Sequence, residues 1–325
     1  MFFIAGGTGF IGARLIRSLT GGNHAVRCLV RTTGKAAACE KNGFGAVVGD
    51  ITDRESLKDA LGDCDVVVHL VGIMEEKGAL TFEQVHVRGT ENLVDEAKRA
   101  GVKHFFYQSA LGASLAAKAR YSKTKAEAEI VVKESGIPYT IFRPSLVVGA
   151  GDGFTQRMKE LIALGPVVTF PGDGKARVQP LYVDDWVKCF MKVFGGPAGG
   201  LSPEARYVSR ICEMGGPEHL TYNEVIALIM EAMGSNKPVV HLPVNAIKLT
   251  LPFAGVAQGI GRLLGRKIPP VTAEQLALLQ LDNICDKDSV KRDFDFTPMK
   301  FRDALRLFIQ FTLPRAQGTS NNPPL

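Results

Sequence analysis

Tyr121 and Lys125 form a Tyr-x-x-x-Lys pair, and this spacing places both side chains on one face of a predicted helix. A lysine ammonium beside a phenol lowers the pKa of the phenol, so Tyr121 would donate or accept a proton near neutral pH. Ser109 ends the strand predicted before this helix, and its hydroxyl would orient a substrate carbonyl. The three residues predict proton transfer to or from a substrate that carries a carbonyl group. A purely structural helix face is the alternative interpretation.

A second group of residues predicts a phosphate-binding loop with the pattern G-x-G-x-x-G. The loop follows a predicted strand and opens a predicted helix, so its backbone would approach a pyrophosphate at the positive end of the helix. The candidate loop residues are Gly6, Gly7, Thr8, Gly9, Phe10, Ile11 and Gly12. A glycine-rich turn without a ligand is the alternative.

Arg31 bears on the choice of cofactor, because it stands at the end of the second predicted strand. An acidic residue about 20 positions after the glycine loop would hydrogen-bond the ribose 2′-hydroxyl of NAD. A guanidinium at that position binds a 2′-phosphate instead, and Lys35 follows nearby. The sequence therefore predicts that NADP(H) is preferred over NAD(H). A solvated loop charge with mixed cofactor use is the alternative.

A parallel sheet is needed to bring these residues together. Runs rich in β-branched and aromatic residues predict buried strands at Phe2–Ala5, Ala25–Val30, Ala46–Val48, Val66–Leu70, His104–Gln108 and Tyr139–Phe142. Helical patterns lie between them, at Ile11–Leu19, Ser56–Leu61, Glu83–Ala100 and Tyr121–Glu134. This alternation predicts a doubly wound parallel α/β sheet (a Rossmann fold), which binds ligands outside the carboxyl ends of its strands.

A smaller, mainly helical part is expected after about residue 150. Its predicted helices are Phe154–Ala163, Asp184–Phe194, Tyr222–Met233, Thr272–Leu281 and Phe301–Phe311, with strands near Tyr207–Ile211 and Val239–His241. We expect a dinucleotide-binding domain at residues 1–150, with residues 178–213 returning to the sheet. Residues 151–177 and 214–315 would form the substrate or partner part, and residues 316–325 a flexible tail.

The composition is that of an ordinary globular protein, with 46% hydrophobic and 22% charged residues among 325, which excludes disordered and collagen-like classes. A net charge of +6 is small and spread along the chain, so no nucleic-acid partner is expected. The six cysteines lack metal-ligand spacing and predict buried thiols and no metal site. The apolar N-terminus is too short for a signal peptide, and Leu249–Gly261 is too short for a membrane span. We expect a cytoplasmic protein, at most peripheral to a membrane.

The chain resembles the short-chain dehydrogenase/reductase superfamily, in its extended or atypical branch. Besides Ser109, Tyr121 and Lys125, the matching stretches are GGTGFIG at 6–12, GDITD at 49–53, VVHLVG at 67–72, HVRGTENLV at 86–94, RPSLVVGAGD at 143–152 and PLYVDD at 180–185. The resemblance implies cofactor contacts from Asp50 and Ile51 at the adenine, from Leu70, Val71 and Gly72 on the ribose side, from Lys125 at the ribose, and from Pro144, Ser145 and Leu146 at the nicotinamide.

Two later stretches, MGGPEHLTYNEVIALIMEAMG at 214–234 and LLQLDNICD at 278–286, are similar to the dehydrogenase-like accessory subunits of respiratory complex I. Bacterial relatives of these subunits are often called NAD-dependent epimerase/dehydratases. The resemblance implies an NADP(H)-dependent oxidoreductase with an unknown small-molecule carbonyl or alcohol substrate. Two alternatives stay open. One is a non-catalytic NADPH-binding structural or assembly protein of a respiratory or quinone-related complex, and the other is a sugar-nucleotide epimerase or dehydratase.

Two departures from the epimerase pattern weaken that last alternative. Arg31 stands where those enzymes usually have an acid, and the segment between Ser109 and Tyr121 is short. Arg177 stands near the position where epimerases contact a nucleotide phosphate, although its surroundings also fit a solvated turn.

The segment Val244–Ile268 carries apolar residues at steps of three and four together with four basic residues. One interpretation is an interrupted helix that packs on the body of the protein. The other is a basic amphipathic surface that rests on anionic lipid or on a membrane-bound partner such as a respiratory complex.

Overall fold

The computed structural model describes residues 1–195, 201–250 and 272–309. The strands in these ranges are β1 (Phe2–Ala5), β2 (Val26–Val30), β3 (Gly45–Val48), β4 (Val66–His69), β5 (His104–Gln108), β6 (Tyr139–Pro144), β7 (Val147–Val148), β8 (Val168–Pro171), β9 (Arg177–Val178), β10 (Leu181–Tyr182), β11 (Arg210–Met214), β12 (Leu220–Thr221) and β13 (Val239–Leu242).

The α-helices in the same ranges are α1 (Phe10–Gly21), α2 (Thr33–Lys41), α3 (Gly89–Arg99), α4 (Arg120–Glu134), α5 (Gly153–Ala163), α6 (Val183–Val193), α7 (Tyr222–Ala232), α8 (Val244–Thr250), α9 (Ala273–Leu278), α10 (Ser289–Phe294) and α11 (Phe301–Ile309). A π-helical turn, Glu83–Arg88, leads into α3, and 3₁₀ turns occupy Glu55–Leu57 and Ala205–Tyr207.

Seven strands form one parallel sheet in the order β11-β6-β5-β4-β1-β2-β3. Every residue of β1 and β4 is buried, as expected for strands covered on both faces. One face packs against Leu15 of α1 and Trp186 of α6, and the other against Leu93 of α3 and Val132 of α4. The predicted doubly wound α/β fold is confirmed.

A second core lies in the mainly helical region and is built by α5, α7 and α11 around the two-stranded sheet of β8 and β13. Its buried side chains include Met158, Val225 and Phe308. The predicted smaller helical part is therefore present, while the exact domain boundaries remain a prediction.

Two local predictions were wrong and one helix was missed, each for a physical reason. The helix predicted at Ser56–Leu61 is only the turn Glu55–Leu57, because Asp59 takes a left-handed backbone with φ of 61°. The strand predicted at Tyr207–Ile211 is displaced to β11, because Ser209 has φ of 54° and breaks the extended chain. Helix α2 was not predicted, because its sequence TGKAAACEK has little apolar periodicity.

Helix α8 covers the start of the segment Val244–Ile268, and residues 251–268 lie outside the described ranges, as does the tail at 316–325. The interpretation of that segment as a membrane or partner surface therefore stays a prediction. In the described ranges, no helix is both long and apolar enough to cross a membrane.

Candidate functional site

The glycine loop between β1 and α1 is shaped by close backbone contacts. Gly6 has φ of +93°, and a Cβ atom on it would lie 3.1 Å from the backbone nitrogen of Val71. A Cβ atom on Gly12 would overlap the carbonyl oxygen of Gly6. Residues with side chains would therefore push the loop away from both β4 and α1. The predicted loop is present. Its glycines are needed for the close backbone contacts, in addition to the room that they would leave for a ligand.

A cleft of about 380 Å³ opens beside this loop, at the carboxyl ends of β1, β2 and β4. Lys35 lines it, together with nine of the predicted cofactor residues, namely Gly6, Thr8, Gly9, Arg31, Asp50, Ile51, Leu70, Val71 and Gly72. Gly7, Phe10, Ile11 and Gly12 belong to the same loop without lining the cleft, and neither do Lys125, Pro144, Ser145 and Leu146. The sheet thus brings the predicted adenine and ribose contacts together and leaves the predicted nicotinamide contacts outside this cleft.

The basic end of the cleft carries two exposed cations, Arg31 and Lys35. Thr32 caps α2 by accepting a hydrogen bond from the backbone nitrogen of Lys35 at 3.3 Å, which fixes the turn between them. In the described ranges neither side chain has an ion pair, and the undescribed residues contain no Asp or Glu. The two cations therefore have no carboxylate side chain to neutralise them, which suits an anion such as a 2′-phosphate.

Asp50 stabilises the turn after β3, on one side of the cleft, through local hydrogen bonds. Its Oδ1 accepts from the backbone nitrogen of Thr52 at 2.9 Å and from the hydroxyl of Thr52 at 2.8 Å. Its backbone nitrogen donates to the hydroxyl of Ser56 at 2.9 Å. Asp50 thus shapes the turn that leads from β3 to Ile51, the residue predicted beside it at the adenine.

Lys125 is buried inside the site. Its Nζ donates to the carbonyl oxygen of Gln108 at 2.5 Å and lies 4.4 Å from the ring centroid of Tyr107. A Cβ atom on Gly72 would lie 3.9 Å from the same Nζ, so the amine is next to the cleft wall. Burial lowers the pKa of Lys125 to about 7, and Glu129 opposes that shift.

Tyr121 is half-buried one turn before Lys125, and its hydroxyl has no hydrogen-bond partner among the described residues. Burial raises the pKa of Tyr121 to about 12. The predicted lowering of this pKa by Lys125 is therefore wrong. The reason is that desolvation dominates, while the Lys125 amine is directed to the Gln108 carbonyl.

Ser109 does not have the predicted freedom to polarise a substrate. Its buried hydroxyl donates to Oε1 of Glu129 at 2.5 Å. That hydrogen is already committed, so it is not available to a carbonyl oxygen. Ser109 thus supports a buried carboxylate in this arrangement, and its role toward a substrate carbonyl stays a prediction.

Glu129 and Arg143 form a buried ion pair that sequence reasoning missed. The Arg143 guanidinium donates to both carboxylate oxygens of Glu129, at 2.8 and 2.6 Å, and the Glu129 side chain is 1% exposed. Hydrogen bonding to Glu129 raises the pKa of Arg143. The signal in the sequence was that Glu129 lies one helical turn beyond Lys125, on the same face of α4.

His86 is a second residue that sequence reasoning missed. Its Nε2 accepts from the backbone nitrogen of Ile73 at 3.1 Å, so Nδ1 carries the proton and donates to the hydroxyl of Thr124 at 2.9 Å. Its ring meets the Tyr121 ring edge-on, with centroids 5.5 Å apart. Burial, aided by the Lys125 charge, lowers the pKa of His86 to about 3. The neutral His86 therefore links the backbone of Ile73 to α4, the helix that carries Tyr121.

Residues from the end of the chain complete the site. Glu274 of α9 accepts a hydrogen bond from the backbone nitrogen of Tyr121 at 2.8 Å and so caps the start of α4. The Ser145 hydroxyl donates to the carbonyl oxygen of Asn283 at 2.6 Å and accepts from the backbone nitrogen of Gln179 at 3.1 Å. Ser145 thus links the C-terminal region to the end of β6. Its predicted contact with the nicotinamide stays a prediction.

Arg177 is engaged within the protein. Its Nε and a terminal nitrogen donate to Oδ2 of Asp282 at 3.0 and 2.5 Å. Since the guanidinium already has a carboxylate partner, the geometry favours the turn interpretation over a nucleotide-phosphate contact.

We expect the buried Lys125 to make stability depend on pH. Its pKa is about 7 in the folded protein and near 10.4 when unfolded, so the unfolded chain binds more protons between these values, and stability rises with pH there. The measurement is urea unfolding of the protein without added cofactor. The free energy of unfolding of wild type, taken relative to that of Lys125→Met, should rise by up to about 1.4 kcal/mol per pH unit between pH 7 and 9. Lys123→Met changes an exposed neighbouring position. The difference in unfolding free energy between wild type and this control should not depend on pH. A flat difference between wild type and Lys125→Met would contradict the buried, shifted amine.

Comparison with known proteins agrees with the geometry. Residues 6–158 match the family described as NAD(P)H-binding. The chain is 26% identical over 307 residues to mitochondrial subunit 9 of the NADH dehydrogenase (ubiquinone) 1 alpha subcomplex of Arabidopsis thaliana, covering 92% of this chain and 72% of that protein. It is 27% identical over 328 residues to a 3 beta-hydroxysteroid dehydrogenase/Delta 5→4-isomerase of Mycobacterium tuberculosis, covering 91% and 85%.

Among solved structures, a nucleoside-diphosphate-sugar epimerase from Staphylococcus aureus superposes with a TM-score of 0.71 and 19% identity, covering 94% of this chain and 99% of that one. At this identity the likeness concerns the fold. The fold is the predicted Rossmann-like α/β fold, and residues 6–158 carry the match to NAD(P)H-binding proteins. The relatives of the chain, which include a complex I subunit and a hydroxysteroid dehydrogenase, are consistent with the extended short-chain dehydrogenase/reductase type.

Proposed function

We propose that the protein is an NADP(H)-dependent oxidoreductase that reduces a carbonyl compound, with Tyr121 as proton donor. The observation that carries this proposal is the Tyr121–Lys125 pair. An unpartnered phenol with a pKa of about 12 stands one helical turn from a buried amine with a pKa of about 7. The phenol carries a proton at neutral pH, as carbonyl reduction requires, and a lower pKa in the complex with cofactor and substrate would make its donation faster.

The cleft has the features that a dinucleotide needs. The start of α1 presents free backbone N–H groups beside the glycine loop, where a pyrophosphate is stabilised. Arg31 and Lys35 supply uncompensated positive charge at the far end, and Gly72 lines the cleft beside the buried amine of Lys125. The bound cofactor would supply the hydride for the reduction.

Tyr121 and Lys125 have different roles in the proposed reduction. Tyr121 gives its proton to the substrate oxygen, and Lys125, whose amine lies beside Gly72 at the cleft wall, would hold the ribose of the cofactor. Ser109 takes no part, because its hydrogen is held by Glu129. His86 keeps the Tyr121 ring and the Ile73 backbone in a fixed relation.

The proposal is tested by following NADPH oxidation against a panel of quinones, aldehydes, ketones and sugar nucleotides. Turnover of at least one carbonyl compound, with a strong dependence on Tyr121, would support it. NADPH binding without turnover of any member would instead favour the second candidate below.

Arg31 gives the most direct test of cofactor choice. Only the 2′-phosphate can form a charge-assisted pair with its guanidinium, which is worth about 1.5–3 kcal/mol. We therefore expect Arg31→Ala to weaken NADPH binding by about 10- to 100-fold in calorimetry and to leave NADH binding unchanged. Arg88→Ala, at an exposed arginine that does not line the cleft, should bind both cofactors as wild type does. Equal affinities of wild type for NADPH and NADH would refute the assignment.

A second candidate is a non-catalytic NADPH-binding subunit or assembly protein of a respiratory complex. The observation that favours it is the hydrogen bond from Ser109 to Glu129, which removes one member of the predicted catalytic set. The Arabidopsis relative is by name a subunit of NADH dehydrogenase. In this case NADPH would raise the melting temperature of wild type and of Tyr121→Phe equally, and neither would turn over a substrate. A sugar-nucleotide epimerase is less well supported, because Arg177 is paired with Asp282.

A further inference from the structure

A large groove runs between helices α1 and α6, separate from the cofactor cleft. Its volume is about 740 Å³, and α1 contributes Arg14 and Arg17 while α6 contributes Lys188 and Lys192. None of its lining residues lines the cleft described above. The proposed oxidoreductase function makes no use of this groove.

The groove carries an uncompensated positive charge. Arg14 reaches Asp184 at 3.5 Å, and Arg206 at the rim pairs with Glu204 at 3.0 Å. These two acids are the only carboxylates among the described lining residues. Two of the five cationic side chains thus have a carboxylate partner among the described lining residues, and the other three do not.

The remaining three cations are Arg17, Lys188 and Lys192. In the described ranges none of them forms an ion pair, and Lys188 instead lies 3.9 Å from the ring centroid of Phe296. The charge of Lys188 acts on the nearby carboxyl of Asp185 without forming an ion pair with it, and the undescribed residues contain no Asp or Glu. The three cations are therefore available to an external anionic group.

The groove also has an apolar component. Val187 and Met191 lie one turn apart on α6, both line the groove, and both are largely buried. Cations on two helices with apolar side chains between them are complementary to a chain segment that alternates acidic and apolar side chains. A bilayer surface is too broad to enter such a groove, and the small, dispersed net charge of the protein does not favour nucleic acid.

We propose that the α1–α6 groove is a docking site for an acidic, partly apolar segment of another protein. Carboxylates of that segment would pair with Arg17, Lys188 and Lys192, and apolar side chains would contact Val187 and Met191. Because the contacts are surface charge pairs, binding should weaken as salt rises.

The test uses the full chain and a fluorescein-labelled twelve-residue peptide of Glu with Leu at every third or fourth position. Fluorescence anisotropy at low salt should show binding that is lost at high salt. The double variant Arg17→Glu/Lys192→Glu should bind at least about tenfold more weakly, and it should gain affinity for the matching Lys/Leu peptide. NADPH affinity should stay as in wild type, which shows that the variant is folded.

Lys98→Glu/Lys133→Glu is the matched control, because it changes the net charge equally at exposed positions on α3 and α4, away from the groove. Equal weakening in both double variants would overturn the proposal, since the groove would then have no special role. Tighter binding to phosphatidylglycerol vesicles or to duplex DNA than to the peptide, with the same dependence on Arg17 and Lys192, would overturn it as well. If the charge-reversal variant fails to fold, Arg17→Gln/Lys192→Gln provides the same comparison.

Discussion

Tyr121→Phe will lower the turnover of any carbonyl substrate by about 10²- to 10⁴-fold, the usual contribution of a positioned general acid. The substitution removes only the hydroxyl, and that hydroxyl has no hydrogen-bond partner among the described residues, so the fold should be unaffected. NADPH affinity should also stay as in wild type, because Tyr121 does not line the cofactor cleft. The measurement is the steady-state rate of NADPH oxidation, with calorimetry for cofactor binding.

Tyr139→Phe is the matched control, because Tyr139 lies in β6 and packs against the core on the α3–α4 face of the sheet. It should keep the wild-type rate. If Tyr121→Phe turns over substrate as fast as this control does, Tyr121 has no part in the chemistry. If it loses NADPH binding, the role of Tyr121 is structural.

Glu129→Ala should destabilise the protein by about 3–5 kcal/mol, the typical effect of removing one partner of a buried ion pair. The substitution leaves the half-buried Arg143 with only a 3.3 Å contact to Glu213, and it leaves the Ser109 hydroxyl without its acceptor. Urea unfolding at pH 7 measures the change. A loss of this size would exceed that expected for most single substitutions.

The control for this experiment is Glu127→Ala, two positions earlier in the same helix. Glu127 is partly exposed and reaches Lys123 only at 3.9 Å, so its loss should cost less than about 1 kcal/mol. Similar effects of the two substitutions would mean that the Glu129–Arg143 pair adds nothing beyond an ordinary surface charge.

The sheet and the glycine loop could be predicted because their signals are local. The first strand, Phe2–Ala5, and the fifth, His104–Gln108, were predicted with the bounds that the structure shows. Buried parallel strands are short apolar runs, and a glycine loop between such a strand and a helix is a specific signal for phosphate binding. The placement of Arg31 at the end of β2 followed from the same reasoning.

The interior of the site could not be predicted, because it depends on contacts between residues that are far apart in sequence. Ser109 meets Glu129 20 positions later, and Tyr121 meets Glu274 153 positions later. Spacing within one helix suggested that Lys125 acts on Tyr121, whereas burial sets the pKa of both groups. Burial is a property of the packed molecule, and no spacing of residue types reveals its depth.

The cap that Glu274 places on Tyr121 has a consequence for synthesis on the ribosome. The residues that line the cofactor cleft all lie between Gly6 and Val85, and α6, which covers one face of the sheet, ends at Val193. The helix that carries Tyr121 keeps an uncapped first turn until residue 274 emerges, and Ser145 waits for Asn283. If the proposed function holds, a chain that has been synthesised only as far as α8 would have every residue of the cofactor cleft, while Tyr121 would still lack its contact with Glu274. In that case cofactor binding would precede chemical competence as each molecule is made.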